Sequence, residues 1–182
     1  MELMKMQSAN GADIKEIYKE AFPKAERKPY FALKQAVRKG KIKLYAATEE
    51  NMILGFVAVI PFEDMVMVDY LAVNAKIRSK GTGSFIVQEI CKIYRDSTVV
   101  LLIEQLDEAA PNQSQRIARR KFYTKNGFTS SNIFITGTSG EMEILNYGGT
   151  VSPEDYLRLQ KYALGKVFFR FANIKIKAGV SR

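Results

Sequence analysis

The sequence predicts an α/β fold in which helices cover the faces of a mixed sheet. Three observations lead to this fold class. The chain has 182 residues, the usual length of one domain. Hydrophobic residues make up 47% of it and charged residues 26%, which is enough apolar material for a core. Apolar runs typical of strands alternate with segments at helical spacing, as expected for strands and helices packed in layers.

The first half of the chain is predicted to form two helices and then three strands, after a short opening strand. Pro23 ends the first helix and Gly40 the second. The polar residues between the second and third strands predict a hairpin. The opening strand ends at Gln7, the helices cover Asp13–Ala21 and Tyr30–Lys39, and the later strands cover Ile42–Thr48, Ile53–Pro61 and Met65–Val73.

The second half predicts alternating helices and strands. A last helix begins at Ser152, whose side chain is a typical N-cap, with Pro153 at the first helical position. Residues 1–150 are predicted as the main domain, and residues 151–182 as a basic helix and tail that pack on it or extend it. The helices cover Ser84–Tyr94 and Gln113–Lys125, and the strands cover Thr98–Ile103, Phe128–Thr136 and Glu141–Tyr147.

The charge and hydropathy of the chain limit its partners. Lys and Arg total 28 and Asp and Glu total 19, so the formal net charge is +9. Such a surface attracts polyanions, namely nucleic acid, anionic lipid or a phosphate-rich cofactor. The N-terminus has no signal-peptide pattern, and the most apolar uncharged run, Asn51–Phe62, is shorter than the roughly 20 residues of a membrane-spanning helix. The chain is therefore predicted to be cytoplasmic, without a membrane partner.

Two residue types exclude several kinds of chemistry. Histidine is absent, which rules out Ser-His-Asp and Cys-His catalysis and removes the commonest metal ligand. Cys91 is the only cysteine, so neither an intramolecular disulfide nor a cysteine metal cluster can form. Its apolar neighbours in a predicted helix indicate a buried residue rather than a nucleophile. No metal is predicted as a cofactor.

A basic, glycine-containing turn lies between a predicted strand and a predicted helix. The first N–H groups of a helix lack partners within it and lie at the positive end of its dipole, so they bind anions. Glycine lets a phosphate approach the backbone closely. The alternative is a tight turn in which glycine serves conformation alone, and the spacing fits neither a P-loop nor a dinucleotide fingerprint. The residues are Arg78, Ser79, Lys80, Gly81, Thr82, Gly83 and Ser84.

Two motifs, in this order, resemble the Gcn5-related N-acetyltransferase (GNAT) superfamily. Val68–Val73 followed by Arg78-x-x-Gly-x-Gly is similar to the family's acetyl-coenzyme A binding motif. Phe122–Phe128 is similar to the family's second signature, Phe/Leu-Tyr-x-x-x-Gly-Phe. The resemblance extends over Ile42 to Tyr147. It implies the GNAT fold, with a mostly antiparallel sheet that is splayed at the coenzyme site, and it implies acetyl-CoA as cosubstrate.

The resemblance also implies where the coenzyme binds. Pantetheine would lie along Leu71, Ala72 and Val73 and pair with main-chain groups like an added strand. Residues 78–84 would hold the pyrophosphate through their N–H groups.

Acid and base roles follow from the same resemblance. An alkyl ammonium must lose a proton before it attacks, and a leaving thiolate gains one. Asp69 lies two residues before Leu71 on the same strand face, so its carboxylate is a candidate base; the alternative is a surface acid. Tyr123 stands at the family's position for the proton donor; the alternative is a core tyrosine between Phe122 and Phe128.

The region before Tyr123 departs from the commonest family pattern. Arg116 stands where the family usually has an asparagine, and Asn112 is the nearest asparagine. Asn112 is therefore a candidate for holding the pantetheine or the acceptor. Glu104 follows a predicted buried strand and is the second candidate for base or amine partner. Its alternative is a salt bridge to Arg119 or Arg120.

The sequence therefore predicts acetyl transfer from acetyl-CoA to a small-molecule or peptide primary amine, by direct attack in a ternary complex. The alternative is a non-catalytic domain of the same fold that binds coenzyme A, a partner protein or nucleic acid. Nucleic acid is not the predicted partner, because no aromatic stacking platform accompanies the basic residues. The C-terminal basic segment has three possible roles: covering the sheet, mediating a homodimer, or lining the acceptor site.

Overall fold

The computed structural model describes residues 1–9, 11–24, 27–77, 81–138 and 140–177. Within these residues there are eight strands, five α-helices and a short 3-10 helix at Ala75–Ile77. The strands are β1 (Glu2–Met6), β2 (Lys43–Glu49), β3 (Met52–Phe62), β4 (Met65–Val73), β5 (Thr98–Glu104), β6 (Thr129–Gly137), β7 (Gly140–Tyr147) and β8 (Lys175–Lys177). The helices are α1 (Ala12–Ala21), α2 (Tyr30–Arg38), α3 (Thr82–Ile93), α4 (Gln113–Lys125) and α5 (Pro153–Ala172).

The strands form a mixed, mostly antiparallel sheet. Their order is β1-β2-β3-β4-β5-β7-β6-β8. Strand β4 pairs with β5 in parallel, whereas β1–β2, β2–β3, β5–β7, β6–β7 and β6–β8 are antiparallel pairs. The parallel pair is joined through α3, because parallel strands need a crossover connection. The predicted fold class is confirmed.

The chain folds as two compact units. The first consists of Met1–Pro61 and Val68–Ile93, and the second of Phe62–Met67 and Tyr94–Arg182. Strand β4 contributes to both, since its first three residues belong to the second unit. The boundary predicted at residue 150 remains a prediction.

An aromatic cluster holds the first unit together. The ring of Tyr18 lies 5.6 Å from that of Phe22, 5.6 Å from Tyr30, 6.3 Å from Phe56 and 5.0 Å from Tyr70, measured between centroids. Tyr18 is on the buried face of α1, where apolar side chains recur at helical spacing. The cluster therefore fixes α1 and the segment after it to β3 and β4, and tilted and edge-on ring pairs add stability beyond area burial.

Gly55 in β3 permits a very close approach to β4. A Cβ atom at this position would lie 2.6 Å from the carbonyl oxygen of Ala72 and 3.1 Å from Cα of Val73. Real side chains do not tolerate such distances to backbone, so only glycine fits. This role of Gly55 was not predicted, although a glycine inside a strand is a signal of close backbone approach.

The core of the second unit is built on β5. Val99, Val100, Leu101 and Ile103 are all buried, as expected for a strand covered on both faces. Ser152 caps α5 as predicted, with Oγ accepting a hydrogen bond of 3.1 Å from the N–H of Asp155.

Helix α5 is interrupted near its end. Gly165 has φ 77° and ψ 159°, outside the helical region, and this kink was not predicted. Beyond it, Val167, Phe168 and Phe171 are exposed, and Asn173 in the left-handed conformation leads into β8. None of the helices in the described part of the chain is long and apolar enough to cross a membrane.

Candidate active site

Strand β4 presents a half-open face in the first unit. Tyr70 and Ala72 are buried, whereas Asp69, Leu71 and Val73 are partly exposed. Successive strand residues point to opposite faces, so Asp69 shares a face with Leu71 and Val73, as predicted. A ligand that pairs with Leu71 or Val73 would therefore run beside the Asp69 carboxylate.

The glycine turn after β4 leads directly into α3. Gly81 has φ 79°, a conformation that favours glycine, and a Cβ there would have no neighbour within 4 Å. The N–H of Phe85 donates to the carbonyl of Gly81 at 3.0 Å, so the N–H groups of residues 82–84 precede the first helical bond. The predicted binding residues Arg78, Ser79 and Lys80 lie outside the described residues.

Thr82 contributes to the turn through its backbone rather than its hydroxyl. Its side chain is buried, and Oγ1 donates to the sulfur of Met1 at 3.7 Å. The first turn of α3 therefore offers N–H groups of Thr82, Gly83 and Ser84 beside an open position at Gly81. Backbone donors at the start of a helix are suited to a phosphate or pyrophosphate group.

Asp69 is in contact with an amine of the chain itself. The Nζ of Lys28 lies 2.7 Å from Oδ2 and 3.0 Å from Oδ1 of Asp69. The Asp69 side chain is 13% exposed and that of Lys28 is 33% exposed. Lys28 is in the segment between α1 and α2, and the sequence analysis missed it because 41 residues separate it from Asp69.

The backbone of Lys28 is held by two tyrosines. Its N–H donates to Oη of Tyr70 at 3.1 Å, and its carbonyl accepts from Oη of Tyr18 at 3.0 Å. Nζ also lies 5.6 Å from the centre of the Tyr70 ring, within cation–π range. Both the backbone and the side-chain amine of Lys28 are therefore held in place.

A second lysine belongs to the same charge cluster. Burial lowers the pKa of Lys41, the charge of Lys28 lowers it further, and the charge of Asp69 opposes both effects. Burial also raises the pKa of Tyr70, an effect to which the charge of Asp69 adds. The phenols of this cluster are thus neutral hydrogen-bonding groups at neutral pH.

Tyr123 is buried at the end of α4 in the second unit. Its ring centroid is 5.0 Å from that of Phe122 and 5.6 Å from that of Phe128, both edge-on. Burial raises the pKa of Tyr123 to about 12, although the charge of Arg119 acts in the opposite direction. No described residue is a hydrogen-bond partner of its hydroxyl. The phenol is therefore protonated and free to donate to a ligand.

Glu104 is held by a network of three side chains. Asn112 Nδ2 donates to Oε1 at 2.9 Å, and Arg119 donates to Oε2 at 2.6 Å. Arg116 lies 3.4 Å from Oε1 and also donates to Oδ1 of Asn112 at 2.8 Å. Burial alone would raise the pKa of Glu104, but the hydrogen bonds from Asn112 and Arg119 and the arginine charges lower it overall. The structure thus brings Glu104 and Asn112 together.

A buried ion pair beside this network was not predicted. Glu143 in β7 is 2% exposed and accepts a hydrogen bond from Arg120 through Oε2, while Oε1 has no partner among the described residues. A lone glutamate in an apolar strand gives no sequence signal of its partner.

Cys91 is buried as predicted, and burial raises its pKa to about 11. Among the described residues, no group of three or more Cys, Asp and Glu side chains could hold a metal ion.

The sequence matches a known protein family. The family model described as an acetyltransferase (GNAT) domain matches residues 40–130, which is half of the chain. The chain belongs to the GNAT acetyltransferase family. The GNAT match contains the β4 face, the glycine turn, Glu104, Asn112 and Tyr123, whereas Lys28 precedes it.

Solved structures show the same GNAT fold. A protein from Bacteroides thetaiotaomicron assigned to the GNAT family aligns with a TM-score of 0.73 at 18% identity, over 93% of this chain and 99% of that chain. An aminoglycoside 6'-N-acetyltransferase complexed with coenzyme A aligns with a TM-score of 0.61 at 15% identity, over 81% and 96%. The ribosomal-protein-S18-alanine N-acetyltransferase of Escherichia coli aligns with a TM-score of 0.59 at 14% identity, over 85% and 98%. No curated protein matches the sequence.

Proposed function

We propose that this GNAT chain transfers an acetyl group from acetyl-CoA to a primary amine by direct attack in a ternary complex. The observation that carries the proposal is the half-open face of β4 followed by Gly81 and the N–H groups that precede the first helical hydrogen bond of α3. Acetyl-CoA carries a thioester at one end and a pyrophosphate at the other. The edge of β4 suits the pantetheine next to the thioester, and the start of α3 suits the pyrophosphate. Membership of the family supports this donor.

The coenzyme is held mainly by backbone groups in this proposal. Leu71 and Val73 pair with the pantetheine amides, and the N–H groups from Thr82 to Ser84 bind the pyrophosphate. Arg78 and Lys80 supply positive charge. Acetyl-CoA brings an activated acyl group with a thiolate as leaving group, and it is consumed as a substrate.

Asp69 accepts the proton of the attacking amine. Its carboxylate already accommodates an ammonium group at 2.7 Å and lies on the face of Leu71 and Val73. Glu104 is the weaker candidate, because the hydrogen bonds from Asn112 and Arg119 and the charges of Arg119 and Arg116 outweigh burial and lower its pKa, which makes it a weaker base. We assign Glu104 and Asn112 to positioning the side chains of Arg116 and Arg119.

Tyr123 donates a proton to the departing sulfur. A phenol with a raised pKa is protonated throughout the assay range, and this one has no described partner that would compete for its proton. Cys91 takes no part, since a buried thiol with a pKa near 11 is not a thiolate at neutral pH. The acyl group therefore passes directly to the acceptor.

The proposal is tested by binding first and by turnover second. Saturating acetyl-CoA at 100 times its dissociation constant should stabilise the fold by about 2.7 kcal/mol, whereas an oligonucleotide should not. Thiol release with a panel of small amines and peptide N-termini then measures transfer. Binding without release for any amine would indicate a non-catalytic domain, and absence of binding would reject the proposal.

A further inference from the structure

We propose that Lys28 is itself an acetylation site, modified by the chain's own active site. The proposal rests on the proposed function, because it takes acetyl-CoA as the donor and Asp69 as the base. It adds an acceptor that is visible in the structure: a primary amine already seated on the candidate base.

The geometry places the Lys28 amine where an acceptor amine has to be. Its Nζ contacts both oxygens of Asp69, at 2.7 and 3.0 Å. Leu71 is two residues further along the same strand face, a separation of about 6.7 Å between Cα atoms. A donor bound along Leu71 and Val73 would bring its acyl end within reach of a side chain anchored at Asp69.

The amine is held in place rather than sampling solvent. Hydrogen bonds from Tyr18 and to Tyr70 fix the backbone of Lys28, and the ion pair fixes its side chain. Attack by a pre-positioned group is an intramolecular reaction, for which effective concentrations of about 10⁵ M and above are known. The Lys28 side chain is 33% exposed, so it is not sealed inside the core.

The step balances within groups already named. Nζ gives a proton to Asp69 and forms a bond to the carbonyl carbon of the thioester. The carbon–sulfur bond breaks and its electron pair leaves with sulfur. Nζ loses its second proton as the amide forms, which balances the one proton that the thiolate gains to become the free thiol of coenzyme A, and Asp69 returns its proton to solvent. The products are an amide on Lys28 and coenzyme A. The Lys28–Asp69 ion pair is lost, because an amide carries no charge.

A purely structural role for the ion pair gives different expectations. If the ion pair only ties the α1–α2 segment to β4, Lys28 stays unmodified, and an arginine at position 28 makes the same contact with Asp69. The Lys28→Arg variant keeps the positive charge and cannot form this amide, so it separates the two roles. Lys24→Arg, at an exposed position in the same segment, is the matched control.

The experiment incubates the full chain with acetyl-CoA carrying a deuterated acetyl group and follows intact mass and peptide maps. We expect one label per chain at Lys28, formed at least about 100-fold faster than on any other lysine, at a rate independent of protein concentration. Lys28→Arg should remove this label, Lys24→Arg should keep it, and Gly83→Val should abolish it by blocking the donor site. Titration calorimetry with coenzyme A should show unchanged affinity in Lys28→Arg.

Each other outcome is decisive. Label at Lys41, or label spread evenly over surface lysines, overturns the assignment to Lys28. An unlabelled Lys28 in a protein that acetylates an external amine overturns this inference and leaves the proposed function intact. A chain that does not bind coenzyme A in calorimetry rejects the proposed function, and this inference with it.

Discussion

The two units of the chain present their polar groups in different ways. In the first, the groups suited to a ligand are backbone N–H donors around Gly81 and one carboxylate, Asp69, with a lysine on it. In the second, side chains saturate one another: Glu104 is held by two arginines and Asn112, and Glu143 is buried against Arg120. Among the described residues of this unit, the phenol of Tyr123 and Oε1 of Glu143 have no hydrogen-bond partner.

The first unit therefore carries the groups suited to binding a ligand, whereas the polar groups of the second unit mainly stabilise the fold. Backbone donors survive every substitution except proline, so a steric block at glycine is the substitution that disables them while keeping the N–H groups. A saturated network, by contrast, stabilises its own unit and leaves little for a ligand. Substitutions in the first unit should therefore change affinity and acid–base chemistry, whereas most substitutions in the second should change stability, with Tyr123 as the exception.

The largest effect is expected for Gly83→Val. A branched side chain beside the N–H groups of α3 would exclude the pyrophosphate and remove two or three charge-assisted hydrogen bonds, about 4 kcal/mol or 1000-fold in affinity. Calorimetry with acetyl-CoA measures the loss, and circular dichroism checks that the fold is retained. Unchanged affinity in a folded variant would show that the turn is not the coenzyme site.

Tyr123→Phe should lower turnover by about 100-fold while the KM for acetyl-CoA changes little, because the lost O–H acts mainly in the transition state. Tyr147→Phe, whose ring also contacts Phe128, is the matched control and should be neutral. Since the pKa of Tyr123 is raised to about 12, its donor form persists as pH rises and is lost only near pH 12. The parent enzyme should therefore show no loss of turnover from this group below pH 11.

The two carboxylates can be compared directly. Asp69→Asn should reduce turnover by about 30-fold, because the amide cannot take a proton, whereas Glu104→Gln should reduce it by less than about threefold. Steady-state rates with one amine at fixed acetyl-CoA measure both. The reverse ranking would transfer the base role to Glu104 and make the Asp69–Lys28 pair a structural contact.

Arg120→Met should act on stability alone. It leaves the buried carboxylate of Glu143 without a counterion, at a cost of about 3 kcal/mol in the free energy of unfolding. Urea unfolding measures the change. The double variant Arg120→Met/Glu143→Leu should recover most of it, because no buried charge remains; if it does not, the pair contributes net stability of its own.

The smallest effect is expected for Cys91→Ala. The thiol is buried and its pKa is about 11, so turnover should stay within about twofold of the parent, with a stability loss of about 1 kcal/mol from the smaller side chain. Turnover and urea midpoint are measured on the same sample. A large fall in turnover with coenzyme affinity intact would mean that the acyl group passes through the cysteine.

Sequence patterns located the elements that carry strong local signals. The bounds of β4 and α4 agree with prediction because apolar runs and helical spacing are local properties. Strand β8 was missed because Lys175–Lys177 offers one apolar residue, and its pairing with β6 is a tertiary contact. The kink at Gly165 was missed because a glycine inside a helical pattern is usually tolerated.

The candidate site was predictable in part for the same reason. The shared face of Asp69, Leu71 and Val73 follows from strand alternation, and the turn at Gly81 follows from its glycines. The salt bridge of Glu104 to Arg119 was among the predicted alternatives, whereas the pairs Lys28–Asp69 and Arg120–Glu143 were not predicted, because each joins segments that are distant in the sequence. The roles given to Asp69, Glu104, Asn112 and Tyr123 remain predictions.

The close approach at Gly55 has a consequence for the energetics of ligand capture. With the carbonyl oxygen of Ala72 only 2.6 Å from where a Cβ would stand, strand β3 packs directly against the Ala72–Val73 stretch of β4, which has little room to move towards β3. A ligand that pairs with this stretch, as proposed above, would meet a strand whose position is already set. Little conformational entropy is then lost on association, and preorganisation of this kind raises affinity without any additional contact.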